Sequence, residues 1–563
     1  MQTYRPQPQN TPDAPSLRAA YESWLLARTP ARPAERAASG AQRAPRAPRV
    51  PAAGLRVGIA GGGMAGLYAA LLLRSLGIAF HVFEANPARI GGRIYTHRFN
   101  GGKNQYFEAG AMRLPDIPDQ RPVFDLIDYL NQSVAAPARI TTIPYRLNDR
   151  DGNNMVFVNG RRRPDGRPLT VRDAADFPAE LGFPVEGRDR GKTASQLLHE
   201  VLEPFLALLR ADFERGFREI VKYDHVSLYG YLSGVAGWSD DKINYVEVMT
   251  AQTNQFHLSF TELVMEHVSF ASAEWKTIEN GMDRLPNACA DLIGRENITL
   301  GAAVRRLEDL PDGRVAIHHS AAEQPEIFDK VIAAVPPAVL RMWQTPRWSV
   351  RKEQAIRAMH FEPLYKIGLR FRSRFWERTA APCYGGQSIT DTPSRWVVYP
   401  SYGLGDEGEG VLLMYSWMSD AQAWLPQSAE ERTRIALRDL QELYGQDGVD
   451  VEAEFLEAFA VAWPNEWSTG DAKFLPGQFR SLFAVAREPE GNIHFAGEHL
   501  SVHHTWIVGA LDSALHAVRQ VAGRPEIAPL RPGGAAAPAP RDYRHLADAQ
   551  PLSIARPLAA ALT

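Results

Sequence analysis

Three glycines, one acidic residue, one arginine and one lysine carry the chemistry that can be read from this sequence. Gly61, Gly63 and Gly66 in "GIAGGGMAGL" fit G-x-G-x-x-G. In such a turn one glycine makes the bend, one lets a pyrophosphate approach the backbone, and one packs helix on strand. Glu84 follows Gly66 by 18 positions, close to the roughly 20 that place a carboxylate on ribose hydroxyls. Together they describe a site for a dinucleotide with an unphosphorylated ribose. Arg113, set among small residues in "AGAMRLP", offers a planar fork of N–H donors suited to a carboxylate, or to a structural salt bridge. Lys366 opens the otherwise apolar run "KIGLRF". A charge that faces a core is unfavourable unless something uses it, and snorkelling to the surface is the alternative.

These groups need a frame. The run Leu55–Ala60 has strand length, and apolar residues from Met64 to Leu76 recur at helical spacing, which places the glycines at a strand-to-helix junction. The helix N-terminus then presents free N–H groups to phosphate. "AFHVFEA" is a second strand ending in Glu84. Residues from about 170 to 270 read as predominantly helical, with 193–224 the longest helical pattern. Strands are expected in "ITLGAAVRRLED", "VAIHHS", "DKVIAAVPP", "YKIGLRFR", "RWVVYP", "GVLLMYSW" and "GNIHFAGEHL", and a helix over 507–523.

The 563 residues are too many for one core. A net charge of −3 with mixed signs leaves no footprint for nucleic acid. Cys289 and Cys383 are the two cysteines, and the histidines show no metal-ligand spacing, so no metal is expected. No apolar run approaches the ~20 residues that span a bilayer. No secretory h-region is visible, so a cytoplasmic location is expected. Ala, Pro and Arg dominate 27–54, and the tail from Pro525 to Thr563 is similar, so both read as disordered. A short amphipathic helix is expected at 16–28.

The motifs, in their order over residues 55–523, resemble the flavin-dependent amine oxidase superfamily, and most closely its L-amino acid oxidases. The resemblance rests on "GGGMAGL" with Glu84, "RIGGRIYT", "YFEAGAMRLP", "ENGMDRLPNACADLI", and "HFAGEHL" with "HTWIVGALDSAL". It implies FAD held by Gly61, Gly63, Met64, Ala65, Gly66, Glu84, Ala85, Arg89, Gly92, Arg93, Ala111, Met112, Arg113, Val304, Gly497, Glu498, Trp506 and Ile507. It also implies that Arg113 and Tyr399 hold the substrate carboxylate, that Lys366 assists the reaction with oxygen, and that Trp417, Thr505 and Trp506 border the substrate. The family often has glycine where this chain has Thr505. Trp417, Trp506 and Tyr402 suggest an apolar pocket for large or aromatic side chains. No general base is assigned, although His257, His267, His503 and His504 are helpers to consider.

The implied fold is mixed α/β: a Rossmann-like FAD-binding domain of discontinuous segments (55–92, 274–340 and 485–524), a sheet-rich substrate domain (93–169 and 341–484) and a helical insert (170–273). Residues 1–54 and 525–563 are expected to lie outside these domains. The implied reaction is oxidation of an L-amino acid by oxygen to 2-oxo acid, ammonia and peroxide, by a homodimer. A 2-monooxygenase of the tryptophan or lysine type shares the scaffold, and a non-catalytic FAD-binding protein is the reading from another class. Amines without a carboxylate leave Arg113 unused.

Overall fold

Val57, Ile59 and Ala60 are fully buried in the strand Arg56–Ala60 because both neighbours of that strand run parallel to it and both faces are covered. The computed structural model describes residues 54–135, 138–270, 272–501 and 503–534. The helical pattern at 16–28 lies outside them. Across the parallel sheet the strands run Ile298–Thr299, Ala79–Phe83, Arg56–Ala60, Lys330–Ala333 and Ile493–Phe495, with Ile59 opposite both Val82 and Ile332. Its members thus come from four separated stretches of chain. Helices Met64–Ser75 and Ile507–Ala522 share one core with this sheet. On its other face lies an antiparallel layer, Val304–Asp309, Val315–His319 and Glu326–Phe328. That layer sits so close that a Cβ on Gly58 would lie 2.5 Å from Ile317 Cδ1.

A second sheet has seven strands, in the order Phe455–Trp463, Leu364–Phe371, Gly410–Trp417, Trp396–Val398, Gln387–Thr390, Met155–Phe157 and Leu169–Thr170. Side chains alternate across a strand, and here alternation divides two cores. Tyr365, Ile367, Leu369, Leu412, Met414 and Tyr399 pack outward with helix Ala429–Tyr444. Leu364, Leu413, Tyr415, Trp396 and Val398 face inward. Lys366, between Tyr365 and Ile367, takes the inward face and is 3% exposed.

Two expectations are corrected. The pattern over 193–224 is two helices, Ala194–Ala211 and Phe213–Val221. Between them Asp212 is extended (φ −153°), and its side chain accepts from Arg215 N–H to cap the second helix. Residues 525–534 are packed rather than loose: Ile527 and Leu530 join the core beside helix Met64–Ser75, and Leu530 N–H donates to the Tyr68 hydroxyl at 3.0 Å. Two apolar side chains and one hydrogen bond offset an unfavourable composition there. Among the described residues no helix is long and apolar enough to cross a membrane.

Candidate active site

The glycine turn is shaped by two different constraints. Gly61 has φ +111°, and a Cβ there would lie 2.5 Å from Ala334 O. A Cβ on Gly66 would lie 1.9 Å from Gly61 O. Both glycines are therefore required by the protein's own backbone. Gly63 differs, since the nearest atom to its missing Cβ is 3.9 Å away, at Gly92 Cα. Its bareness keeps a cradle open at the start of helix Met64–Ser75, which carries no side-chain cap. Unbonded N–H groups over a cradle suit a phosphate group. At the end of strand Ala79–Phe83 the Glu84 carboxylate accepts from Gly62 and Asn86 N–H, each at 2.8 Å. Burial raises its pKa while those bonds pull it down.

One cavity runs from this turn to the inner face of the seven-stranded sheet. Gly61, Gly63, Met64, Ala65, Glu84, Ala85, Arg89, Gly92, Arg93, Ala111, Met112, Arg113, Val304, Lys366, Trp417, Gly497, Glu498, Thr505, Trp506 and Ile507 all line it. Arg89 Nη1 donates to Gly92 O at 2.7 Å and its guanidinium lies 4.5 Å from the Tyr95 ring, which rigidifies the bend. Arg93 pairs with Glu498 at 3.0 Å. Burial pushes the Glu498 carboxyl up, but Arg93 and the neighbouring histidines outweigh it and hold it at about 2. Its Oε1 accepts from Ala472 N–H at 2.8 Å, tying the two cavity walls together.

At the far end Arg113 is 8% exposed and, among the described residues, has no ion pair. Its guanidinium lies 5.4 Å from the Trp275 ring, 5.7 Å from Phe270 and 6.0 Å from Tyr145. Aromatic faces steady a cation without neutralising it. Phe270 and Trp275 in turn hold Trp506, with centroids 5.7 and 5.8 Å apart. Lys366 Nζ donates to Gly110 O at 2.6 Å and Glu108 O at 3.2 Å. Burial pushes this amine down to about 7, against the pull of Glu108. Thr505 has φ +69°, unusual for a β-branched residue, which accounts for the family's frequent glycine at that position.

Two expected site residues lie elsewhere. Gly66 is a packing glycine behind the turn. Tyr399 faces the outer core, fully buried, with its hydroxyl 2.7 Å from both the Ser388 and Tyr444 hydroxyls. The reason is strand alternation: Trp396 and Val398 point inward, so Tyr399 cannot. The tyrosine that does line the cavity is Tyr415, which shares a face with Trp417. Tyr402 likewise turns away, donating to Tyr106 O at 2.6 Å. Neither His257, His267, His503 nor His504 lines the cavity: His504 pairs with Glu262 and His503 with Asp512. His499, Trp463, Glu266, Glu362, Asp471 and Lys473 do line it and were not anticipated. Alternation within "GVLLMYSW" could have found Tyr415, but nothing local marks the acidic group.

A family model described as flavin containing amine oxidoreductase matches residues 64–522. A putative bifunctional amine oxidase of Dictyostelium discoideum is 33% identical over 500 residues, and the chain, matched over 83% of its own length, spans 46% of that protein. A putative L-amino-acid oxidase of Bacillus subtilis is 30% identical, over 82% of this chain and 94% of that one. L-amino-acid oxidase 4 of Hebeloma cylindrosporum is 30% identical, over 83% and 81%. Among solved structures, putrescine oxidase bound to putrescine aligns with TM-score 0.63 at 20% identity, over 84% of this chain and 99% of that one. Cyclohexylamine oxidase from Brevibacterium oxydans aligns with TM-score 0.60 at 19% identity, over 83% and 99%. At such identity these structures speak to the fold.

Proposed function

The chain belongs to the flavin containing amine oxidoreductase family, and from that premise we propose that it is an FAD-dependent L-amino acid oxidase. The observation that carries the substrate class is Arg113, a buried guanidinium that faces the cavity and has no ion pair among the described residues. A simple amine would leave it unsatisfied, whereas an α-carboxylate fits its fork. The relatives named as L-amino-acid oxidases support the same reading.

FAD fits the cavity because Gly63 leaves a cradle a Cβ would fill, the helix N-terminus behind it is uncapped, and the Glu84 carboxylate lines the same cavity at the end of the second strand. When bound, the flavin supplies a two-electron acceptor for the Cα–H of the substrate, and oxygen later removes those electrons as peroxide. The chain's own residues do the rest. Arg113, held by three aromatic rings, anchors the carboxylate and so fixes which face of Cα is presented. Tyr415, Trp417 and Trp506 wall off water. Lys366 Nζ, with its amine at about 7, can carry a proton near neutral pH.

The test is a panel of the twenty amino acids in both enantiomers plus simple amines, with peroxide, ammonia and carbon dioxide measured together. Equal peroxide and ammonia from L-enantiomers alone is the expected result. Carbon dioxide with an amide would move the assignment to a 2-monooxygenase, and turnover of amines without a carboxylate would remove it.

A further inference from the structure

The cavity that Arg113 faces also carries a group of acidic side chains that the proposed reaction does not use. The antiparallel pair Phe361–Glu362 and Asp471–Ala472 sets Glu362 directly opposite Asp471, where like charges repel. Both carboxyls line the cavity, and Glu266 joins them from helix Phe260–Phe270. Glu266 lies one helical turn before Phe270, roughly 5–6 Å away between Cβ atoms. Since the Phe270 ring packs on Arg113, that step carries the wall from the carboxylate anchor to the acidic group.

Lys473 Nζ is committed to Glu266 Oε2 at 2.6 Å, and the His360 imidazole, whose pKa burial lowers, stands 4.0 Å from Glu362 Oε1, beyond hydrogen-bond reach. Two acceptors remain without a donor among the described residues: Glu362 Oε1 and Gln255 Oε1, on residues 4% and 1% exposed, both lining the cavity. The Gln255 amide is oriented by its other end, because Nε2 must be the atom that donates to the Glu266 carboxylate, at 3.1 Å. What Glu362 Oε1 and Gln255 Oε1 lack is therefore a hydrogen-bond donor. Burial pushes Glu362 up to about 8 and Asp471 up to about 6, with neighbouring carboxyls adding to it and Lys473 opposing it at both.

We propose that this end of the cavity receives a cationic side chain, so that the preferred substrates are L-amino acids ending in an ammonium or guanidinium group, read by Glu362, Gln255 and Glu266. The inference rests on the amino acid oxidase reading and replaces the expectation of large aromatic side chains. An apolar side chain would leave two buried acceptors unpaired, and a carboxylate side chain would bring a further negative charge to a wall already lined by Glu266, Glu362 and Asp471.

The FAD-loaded enzyme is assayed with L-arginine, L-ornithine and L-lysine against L-norleucine, L-methionine and L-glutamate. Basic substrates are expected to exceed L-norleucine in kcat/KM by about tenfold or more. Glu362→Gln should reduce that ratio by about tenfold, mainly through KM for the basic substrates. A second readout needs no variant and no turnover: under anaerobic conditions L-arginine should raise the melting temperature of the protein more than L-norleucine at equal concentration. Equal or better use of L-norleucine overturns the inference while leaving the amino acid oxidase reading intact. A preference for L-glutamate overturns it in favour of Lys473 as the reader. Oxidation of simple diamines with no amino acid turned over removes both.

Discussion

Lys366 and Tyr415 stand directly opposite each other on the paired strands Leu364–Phe371 and Gly410–Trp417, with Lys366 Nζ 4.5 Å from the centre of the Tyr415 ring. Burial favours the neutral amine, the Glu108 carboxyl favours the ammonium, and the balance falls at about 7. If the ammonium assists the reaction with oxygen, the reoxidation rate of the reduced protein should fall as pH rises through 7. Lys366→Met should slow reoxidation at pH 6 and abolish the inflection, with anaerobic reduction by substrate little changed. Stopped-flow absorbance separates the two. A variant slowed in reduction alone would refute the role.

Arg113→Ala should raise KM for L-amino acids by more than tenfold, since charge-assisted bonds to a carboxylate contribute about 2 kcal/mol. Steady-state kinetics checks it. An unchanged KM would mean that the guanidinium does not touch the substrate.

The position of Tyr399 makes a contrasting prediction. Tyr399→Phe removes a hydroxyl bonded to Ser388 and Tyr444 in the outer core, so stability should fall by about 1–2 kcal/mol with KM unchanged. Tyr415→Phe should do the reverse. Denaturant titration and kinetics on both variants decide it.

Thr505 holds a left-handed backbone conformation at φ +69°, a strain of about 1–2 kcal/mol for a residue with a Cβ. Glycine removes that strain but loses roughly 0.5–1 kcal/mol of chain entropy. Thr505→Gly should therefore be neutral to stabilising, by up to about 1 kcal/mol in thermal unfolding. A clear loss would show that the threonine side chain makes compensating contacts.

Glu362 is protonated in the folded protein up to about 8 but ionises near 4.5 when unfolded. Between those values the folded state binds the extra proton, so its favourable contribution is complete below about 4.5 and lost as pH rises to 8. Wild type should therefore lose stability relative to Glu362→Gln across that window. Paired melting curves from pH 5 to 8 test this, and a constant difference would contradict it.

How much of this could be read in advance depended on how local the signal was. The glycine turn and Glu84 lie within one short stretch, and two of the three glycines have a backbone reason, so turn, strand and helix were legible. Arg113 and Lys366 were legible because a charge in an apolar setting demands an explanation. Tyr399 was misread because two tyrosines close strand-like runs, and only the face on which each falls separates them. The opposition of Glu362 and Asp471 is a matter of tertiary register between short strands, and no periodicity announces it. The break at Asp212 was hidden because its flanking segments keep helical spacing.

The parallel sheet has a kinetic consequence. Strand Arg56–Ala60 carries the glycine turn, yet its partner Lys330–Ala333 arrives much later, and the edge strand Ile493–Phe495 and the helix Ile507–Ala522 that seals its core come near the end of the described chain. During synthesis this strand can pair early with Ala79–Phe83, but its other edge stays open until Lys330–Ala333 has been made. Assembly of such distant pairings is slow and exposes sticky intermediates. Truncation before residue 522 should therefore abolish the sheet entirely rather than trim it, and production of intact protein should depend strongly on growth temperature and chaperone supply.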